Sequence, residues 1–210
     1  MRGRRNLIVG RVRTTAAGLG RLQDEARAAA NGSLETWLVD AGAEPAGYAD
    51  LGERDVMLRT EPFAAVEAPP EVGLRDLFES LAAAVEGEAL LTRIFGIPAL
   101  KTTDQLVRDF RAHGHRFAGA ERDGALVGAG RIRATAELGF LGGAAVAPEQ
   151  RGRGVYRALV QLRVNWALER GSPFVAVHAR EASGRVLRNL GFETVAALRT
   201  LQRGGAPAGR

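Results

Sequence analysis

With 210 residues the chain can bury one sizeable core, or one full domain and part of a second. Its 46% hydrophobic and 25% charged residues match ordinary globular averages, and the absence of cysteine excludes disulfides, thiolate metal sites and cysteine nucleophiles. The net charge of +5 comes almost wholly from arginine (Lys101 is the only lysine), and carboxylates alternate with it, as in Asp24-Glu-Ala-Arg27, which argues against a nucleic-acid partner.

In chain order, Arg2–Arg5 precedes an apolar stretch, Leu7–Val9, too short for a signal-peptide core or a membrane span. The expectation is therefore a cytoplasmic protein with no membrane partner. Asn6–Val12 reads as a strand and Gly18–Ala30 as a helix closed by Asn31-Gly32. Leu34–Val39 reads as a strand, Ala46–Glu53 as a short helix and Val56–Thr60 as another strand. The proline-bearing stretch Ala64–Gly73 marks a boundary, dividing an N-terminal part, 1–68, from a main domain, 69–210.

Leu74–Ala84 and Thr103–Ala112 have helical spacing. The second opens on Thr102-Thr-Asp-Gln105, the spacing of a capping box, and is expected to bury Leu106, Val107 and Phe110. Arg116–Glu121 and Ala125–Ala134 flank Asp123-Gly124, a tight-hairpin dipeptide, and Leu138–Ala147 adds a third strand. The helix Gly154–Glu169 carries an apolar stripe of Val155, Ala158, Leu159, Leu162 and Trp166 and stops at Gly171. Phe174–Ala179 is a buried strand, Ala182–Leu190 a helix closed by Gly191, and Phe192–Gln202 a last strand. Strand–helix–strand from Leu138 to Ala179 predicts a parallel pair, hence a mixed α/β sheet. A weak internal repeat, Val39-Asp-Ala41 against Val177-His-Ala179 and Leu58-Arg-Thr60 against Leu198-Arg-Thr200, leaves duplication and chance both open.

The informative segment is Ala144–Leu159, a strand, a proline-led turn, a glycine-rich loop and a helix start. Gly152 and Gly154 let backbone approach an anion closely, and successive amides at a helix N-terminus form a phosphate cradle. Arg151, Arg153 and Arg157 surround it with positive charge. The Gly-Lys-Ser/Thr of a nucleotide-triphosphate loop is missing, as are the third glycine and later acidic residue of a dinucleotide fingerprint.

Arg151-Gly-Arg-Gly154, preceded by Val146-Ala-Pro148, resembles the phosphate-loop signature of the GCN5-related N-acetyltransferases, and Leu190-Gly-Phe192 is similar to their later Leu-Gly-Phe. Tyr156 stands where that signature has Gly or Ala. The resemblance is strong over Phe117–Leu201 and only suggestive in the N-terminal third, which is similar to a degenerate half of the same fold, as in two-part members from high-GC bacteria.

The resemblance implies a splayed mixed sheet and N-acetyl transfer from acetyl-CoA to an amine, more readily a small molecule than a protein. It implies backbone contacts to pantetheine at Ala144, Ala145 and Val146, and a pyrophosphate over Arg151, Gly152, Arg153, Gly154, Val155 and Tyr156. It also implies an oxyanion held by the N–H of Val146 or Ala147, and a small residue, Ser183, beside the cofactor, although Ser183 reads more simply as a helix cap. The family's usual tyrosine acid falls on Leu187, which leaves open a binding module with little turnover. Proton handling is assigned to His178, with Glu137 as a second candidate. His113 and His115 flank Gly114 and read as loop residues; no metal site is expected. The acceptor stays open, and so does the oligomeric state, a homodimer included.

Overall fold

The computed structural model describes residues 36–39, 48–96, 102–111 and 114–203. The expected strand Asn6–Val12 and helix Gly18–Ala30 lie outside them, as do Lys101 and His113. The chain divides into two units.

The first unit holds residues up to Val56 together with His178–Arg185 and Thr194–Arg210. Strand β1 (Thr36–Val39) pairs antiparallel with β8 (Glu193–Arg203), from Thr36↔Gln202 to Val39↔Arg199, and β2 (Tyr48–Arg59) is the other neighbour of β8. Of the helix expected over Ala46–Glu53, the described residues, Tyr48–Glu53, are therefore corrected to strand, and residues 46–47 lie outside the described residues. Gly52 sits at φ +88°, which a helix interior cannot accommodate, and an isolated helix this short is unstable unless its apolar face is packed.

The second unit holds Met57–Val177 and Val186–Glu193. Its strands run in the order β7 (Val175–Ala179), β6 (Gly139–Val146), β5 (Ala125–Ala134), β4 (His115–Arg122), β3 (Gly73–Asp76). β3 to β6 pair antiparallel and β6 pairs parallel with β7, the mixed sheet expected. The β4–β5 hairpin closes on Asp123 (φ 52°) and Gly124 (φ 75°), the paired positive dihedrals that suit the twist of a two-residue turn.

The helix expected at Leu74–Ala84 is the largest correction in this unit. Residues 73–76 are β3, Leu77–Glu79 is a 3-10 turn, and helix α1 runs Leu81–Phe95. Ser80 supplies the reason: its extended backbone breaks the run, and its hydroxyl accepts from Ala83 N to cap the new helix. Gly96, left-handed at φ 62°, ends it. Helix α2 (Thr103–Arg111) opens on the anticipated capping box, Thr102 N donating to Gln105 Oε1 and Gln105 N to Thr102 Oγ1. It buries Leu106, leaves Val107 half-buried, and leaves Phe110 38% exposed, with its ring edge-on to Phe78.

Neighbours such as Phe117 and Ala118, or Ala145 and Val146, divide between two apolar clusters because side chains alternate across a sheet. The β4–β5 register shift at Val127 puts it in a different cluster from Ala129. Phe117, Ala129 and Ala145 pack with Leu90 and Leu91 of α1. Ala118, Val127 and Val146 pack with Val155 and Leu159 of α3 (Val155–Glu169). Helices thus cover both faces. Helix α3 buries more than its predicted stripe: Val160, Gln161, Arg163, Val164 and Ala167 are also buried, while Leu162 and Trp166 are half-buried. The preceding segment is tied along it. Asn165 accepts from Phe63 N at 2.7 Å and donates to Phe63 O at 2.9 Å, and Gln161 Oε1 accepts from Glu67 N at 2.9 Å. Helix α4 is Glu181–Asn189, with Gly191 after it at φ 75°.

Candidate functional site

β6 is the strand that positions the glycine loop. Its pairing with β7 covers Gly139↔Val175, Phe140↔Ala176 and Leu141↔Val177 and ends there, while β6 continues to Val146. The register to β5 shifts between Gly130↔Ala144 and Ile132↔Leu141, so Gly142 and Gly143 together stand opposite Arg131. Such a bulge bends its strand. It falls where β7 pairing stops, and beyond it the β6 edge is open among the described residues.

The open edge has a readable polarity. Ala147 N donates to Val127 O at 2.8 Å, towards β5. Alternation then turns the N–H and carbonyl of Val146 to the open edge. Arg151 Nε donates to that Val146 carbonyl at 3.2 Å, folding the loop's first arginine back onto the strand end. The sequence left Val146 and Ala147 as alternative oxyanion donors; the Ala147 N–H is already committed to the ladder, so Val146 is the one with a free direction.

Past β6, Pro148–Gln150 forms a 3-10 turn, and Gly152 (φ 75°) and Gly154 (φ 86°) take left-handed backbone. A side chain would be strained at either position. A Cβ at Gly152 would meet open space, so that glycine serves backbone geometry rather than packing. Gly154 is the N-cap of α3 and provides no side-chain cap, so the first amides of a fifteen-residue helix are left without a capping side chain among the described residues. Arg151, Arg153 and Arg157 are exposed around them. Arg157 reaches Glu67 at 3.1 Å, whereas Arg153 has no carboxylate partner among the described residues. Backbone amides, a helix N-terminus and guanidinium groups together fit a pyrophosphate. Val155 is buried beneath, and Tyr156 packs beside the cluster of Val72, Val127 and Leu159, where burial raises its phenol pKa.

The other candidates stand on other elements. Glu137 is exposed in the turn before β6, roughly 25 Å of strand from the loop, and the Thr135 hydroxyl holds its carboxyl below the usual range. His178 and Ser183 belong to the first unit. Burial and the Arg54 guanidinium lower the His178 pKa, so its imidazole is neutral at neutral pH. Ser183 donates to Arg180 O at 3.0 Å, which corrects its simplest reading as an amide-accepting helix cap. Leu187 is fully buried. His115 faces Asp109 at 3.8 Å, and the described residues contain no cluster able to hold a metal ion. No described helix is long and apolar enough to cross a membrane.

Sequence reasoning missed Arg163, which is 1% exposed and lies over Gly130. Its only sequence signal is a charge inside the apolar run of α3.

The family model described as the acetyltransferase (GNAT) family matches residues 85–192, more than half of the chain. The fold is similar to that of a GCN5-related N-acetyltransferase from Kribbella flavida, at TM-score 0.66 and 14% identity over 92% of this chain and 78% of that one. It is similar to a GCN5-related N-acetyltransferase from Sphaerobacter thermophilus, at TM-score 0.64 and 21% identity over 90% and 70%. It is also similar to a tandem GNAT protein from the clavulanic acid biosynthesis pathway, at TM-score 0.62 and 19% identity over 91% and 71%. No curated protein matches the chain.

Proposed function

We propose that this chain, which belongs to the acetyltransferase (GNAT) family, transfers the acetyl group of acetyl-CoA to a primary amine of a small molecule. The observation that carries the reading is the uncapped N-terminus of α3, with left-handed Gly152 and Gly154 beside the open edge of β6. Acyl transfer is the family's chemistry; acetyl as the acyl group and a small amine as acceptor are our reading. The donor's pyrophosphate would take the amides around Gly152–Tyr156 with Arg151 and Arg153, and pantetheine would extend β6 at Ala144–Val146.

In the reaction the amine nitrogen bonds to the thioester carbon, the carbonyl electrons move to oxygen, and the Val146 N–H donates to that oxyanion. The amine proton passes to a base or to water. The C–S bond then breaks and the thiolate leaves with CoA. His178 suits the base better than Glu137, because a neutral imidazole accepts a proton where a carboxylate of lowered pKa resists one.

Incubation with acetyl-CoA and a panel of small amines, with free thiol as readout, tests this: CoA release that depends on the amine is expected. Leu187 favours a second reading, an acyl-CoA-binding module with little turnover, because a buried leucine occupies the place of the family's tyrosine acid. Tight acetyl-CoA binding with no acceptor-dependent release would select it.

Residues 1–68 we assign to a degenerate half with a structural or acceptor-shaping role, a reading supported by the likeness to a tandem GNAT protein. Starting the chain at Pro70 removes fully buried Met57 and the backbone of Phe63 and Glu67 held by Asn165 and Gln161. The shortened protein is expected to aggregate or melt early in thermal unfolding. If it is soluble and fully active, the halves are independent and this assignment fails.

A further inference from the structure

Residue 131 is gripped from both faces of the sheet, and the grip coincides with the bulge that opens β6. On one face the Arg131 side chain pairs with Glu88 of α1, both buried, and its guanidinium lies 4.6 Å from the Phe117 ring centre. On the other face Arg163 of α3 donates from Nη1 to the Arg131 carbonyl at 2.9 Å, and from Nε to Leu159 O at 2.7 Å.

The placement has a local reason. Opposite Arg131 the β5–β6 register skips a residue, so Gly142 and Gly143 share one position and the ladder is broken there. A buried backbone carbonyl at such a break needs a donor. Arg163 reaches it only because residue 130 is glycine: a Cβ there would stand 2.7 Å from Arg163 Cζ and 2.8 Å from Ala144 Cβ. A Cβ on Gly142 would press on Arg131 Cβ at 3.3 Å, so the bulge itself depends on small residues against Arg131. The guanidinium is fully buried, and that burial lowers its pKa to about 10, so it remains a cation at neutral pH.

We propose that Arg163 is a positioning residue for the acyl donor: with Glu88 it fixes Arg131, holds the Gly142–Gly143 bulge, and so keeps the Ala144–Val146 edge of β6 turned out of β7 pairing. The use of that edge rests on the acyltransferase reading; the mechanical role of Arg163 does not. Arg163 need not touch the donor, since its lever is the carbonyl it occupies. Loss of the donor group would let the break relax towards a regular ladder, and a one-residue relaxation in β6 would turn the peptide groups of Ala144 and Val146 to the other edge.

The test compares Arg163→Met, which keeps bulk and removes every donor, with Arg163→Lys, which returns one cationic donor, and with Val164→Ala, an ordinary core loss on the next residue. Amide hydrogen exchange of the ligand-free proteins is read at Gly142–Val146. Altered protection confined to this segment is expected in Arg163→Met, with partial return in Arg163→Lys and none of this change in Val164→Ala. Acetyl-CoA affinity by calorimetry, well below each melting temperature, should fall about tenfold in Arg163→Met and hold in Val164→Ala.

If Arg163→Met does not fold, Gly130→Ala drives a Cβ onto the guanidinium and should give the same exchange pattern. Wild-type exchange at Gly142–Val146 in the folded variant, or an equal change in Val164→Ala, would overturn the proposal. Failure of the wild-type protein to bind acetyl-CoA would count against the acyltransferase reading, and the exchange comparison would still decide the role of Arg163.

Discussion

Gly154→Asp is expected to weaken acetyl-CoA binding by about tenfold or more, ~1.4 kcal/mol, while the melting temperature stays close to wild type. The two readouts separate because one substitution acts twice. A residue at φ 86° is strained when it carries a Cβ, though aspartate tolerates that region better than most. Its carboxylate also sits at the N-terminus of α3, which has no side-chain cap, so part of the strain is offset by a favourable charge on the helix end. For a phosphate the same carboxylate is a like charge placed on its own amides. Calorimetry that finds unchanged affinity in a folded Gly154→Asp protein would remove the loop from the site.

The second large effect concerns protons. His178→Gln is expected to lower turnover about 100-fold, the lower range of general-base contributions, with acetyl-CoA affinity near wild type. Folding depresses the His178 pKa, through burial first and the Arg54 charge second, so the neutral base persists below pH 6.5. The folded protein therefore binds this proton more weakly than the unfolded chain. Stability from this group is complete above pH ~6.5 and declines as pH falls below it, and the glutamine variant should lack that dependence.

Above neutrality the rate should climb as the acceptor amine deprotonates. It should not fall again, because Leu187 supplies no phenol to titrate. An alkaline fall abolished by Tyr156→Phe would instead identify Tyr156 as the acid, a role its raised pKa would suit.

What the sequence disclosed depended on the range of the interaction. The Thr102–Gln105 box, the Asp123-Gly124 turn and the glycine loop are local chemistry, and each stands where its residues put it. Errors gathered where a partner distant in sequence decides. Residues 48–53 are strand because β8 lies beside β2, and nothing in Tyr48–Glu53 announces β8. Leu74 has a spacing that also suits a helix, but the β4 ladder takes residues 73–76 and Ser80 restarts the backbone. The commitment of the Ala147 amide depends on strand register. Arg163 was invisible for a related reason: arginine is ordinarily a surface residue, and its burial follows from the Arg131 carbonyl 32 residues away.

The loop's positive charge comes from Arg151, Arg153 and Arg157, and Lys101 is the only lysine in the chain. A guanidinium stays protonated at any pH where a protein works, and its nitrogen lone pairs are delocalised, so it does not attack a thioester. Its planar fork also grips two oxygens of one phosphate at once, which a lysine in the same place would not do. The anion cradle is thus built from cations whose charge is constant across the working pH range, so titration of the loop itself adds nothing to a pH–rate profile.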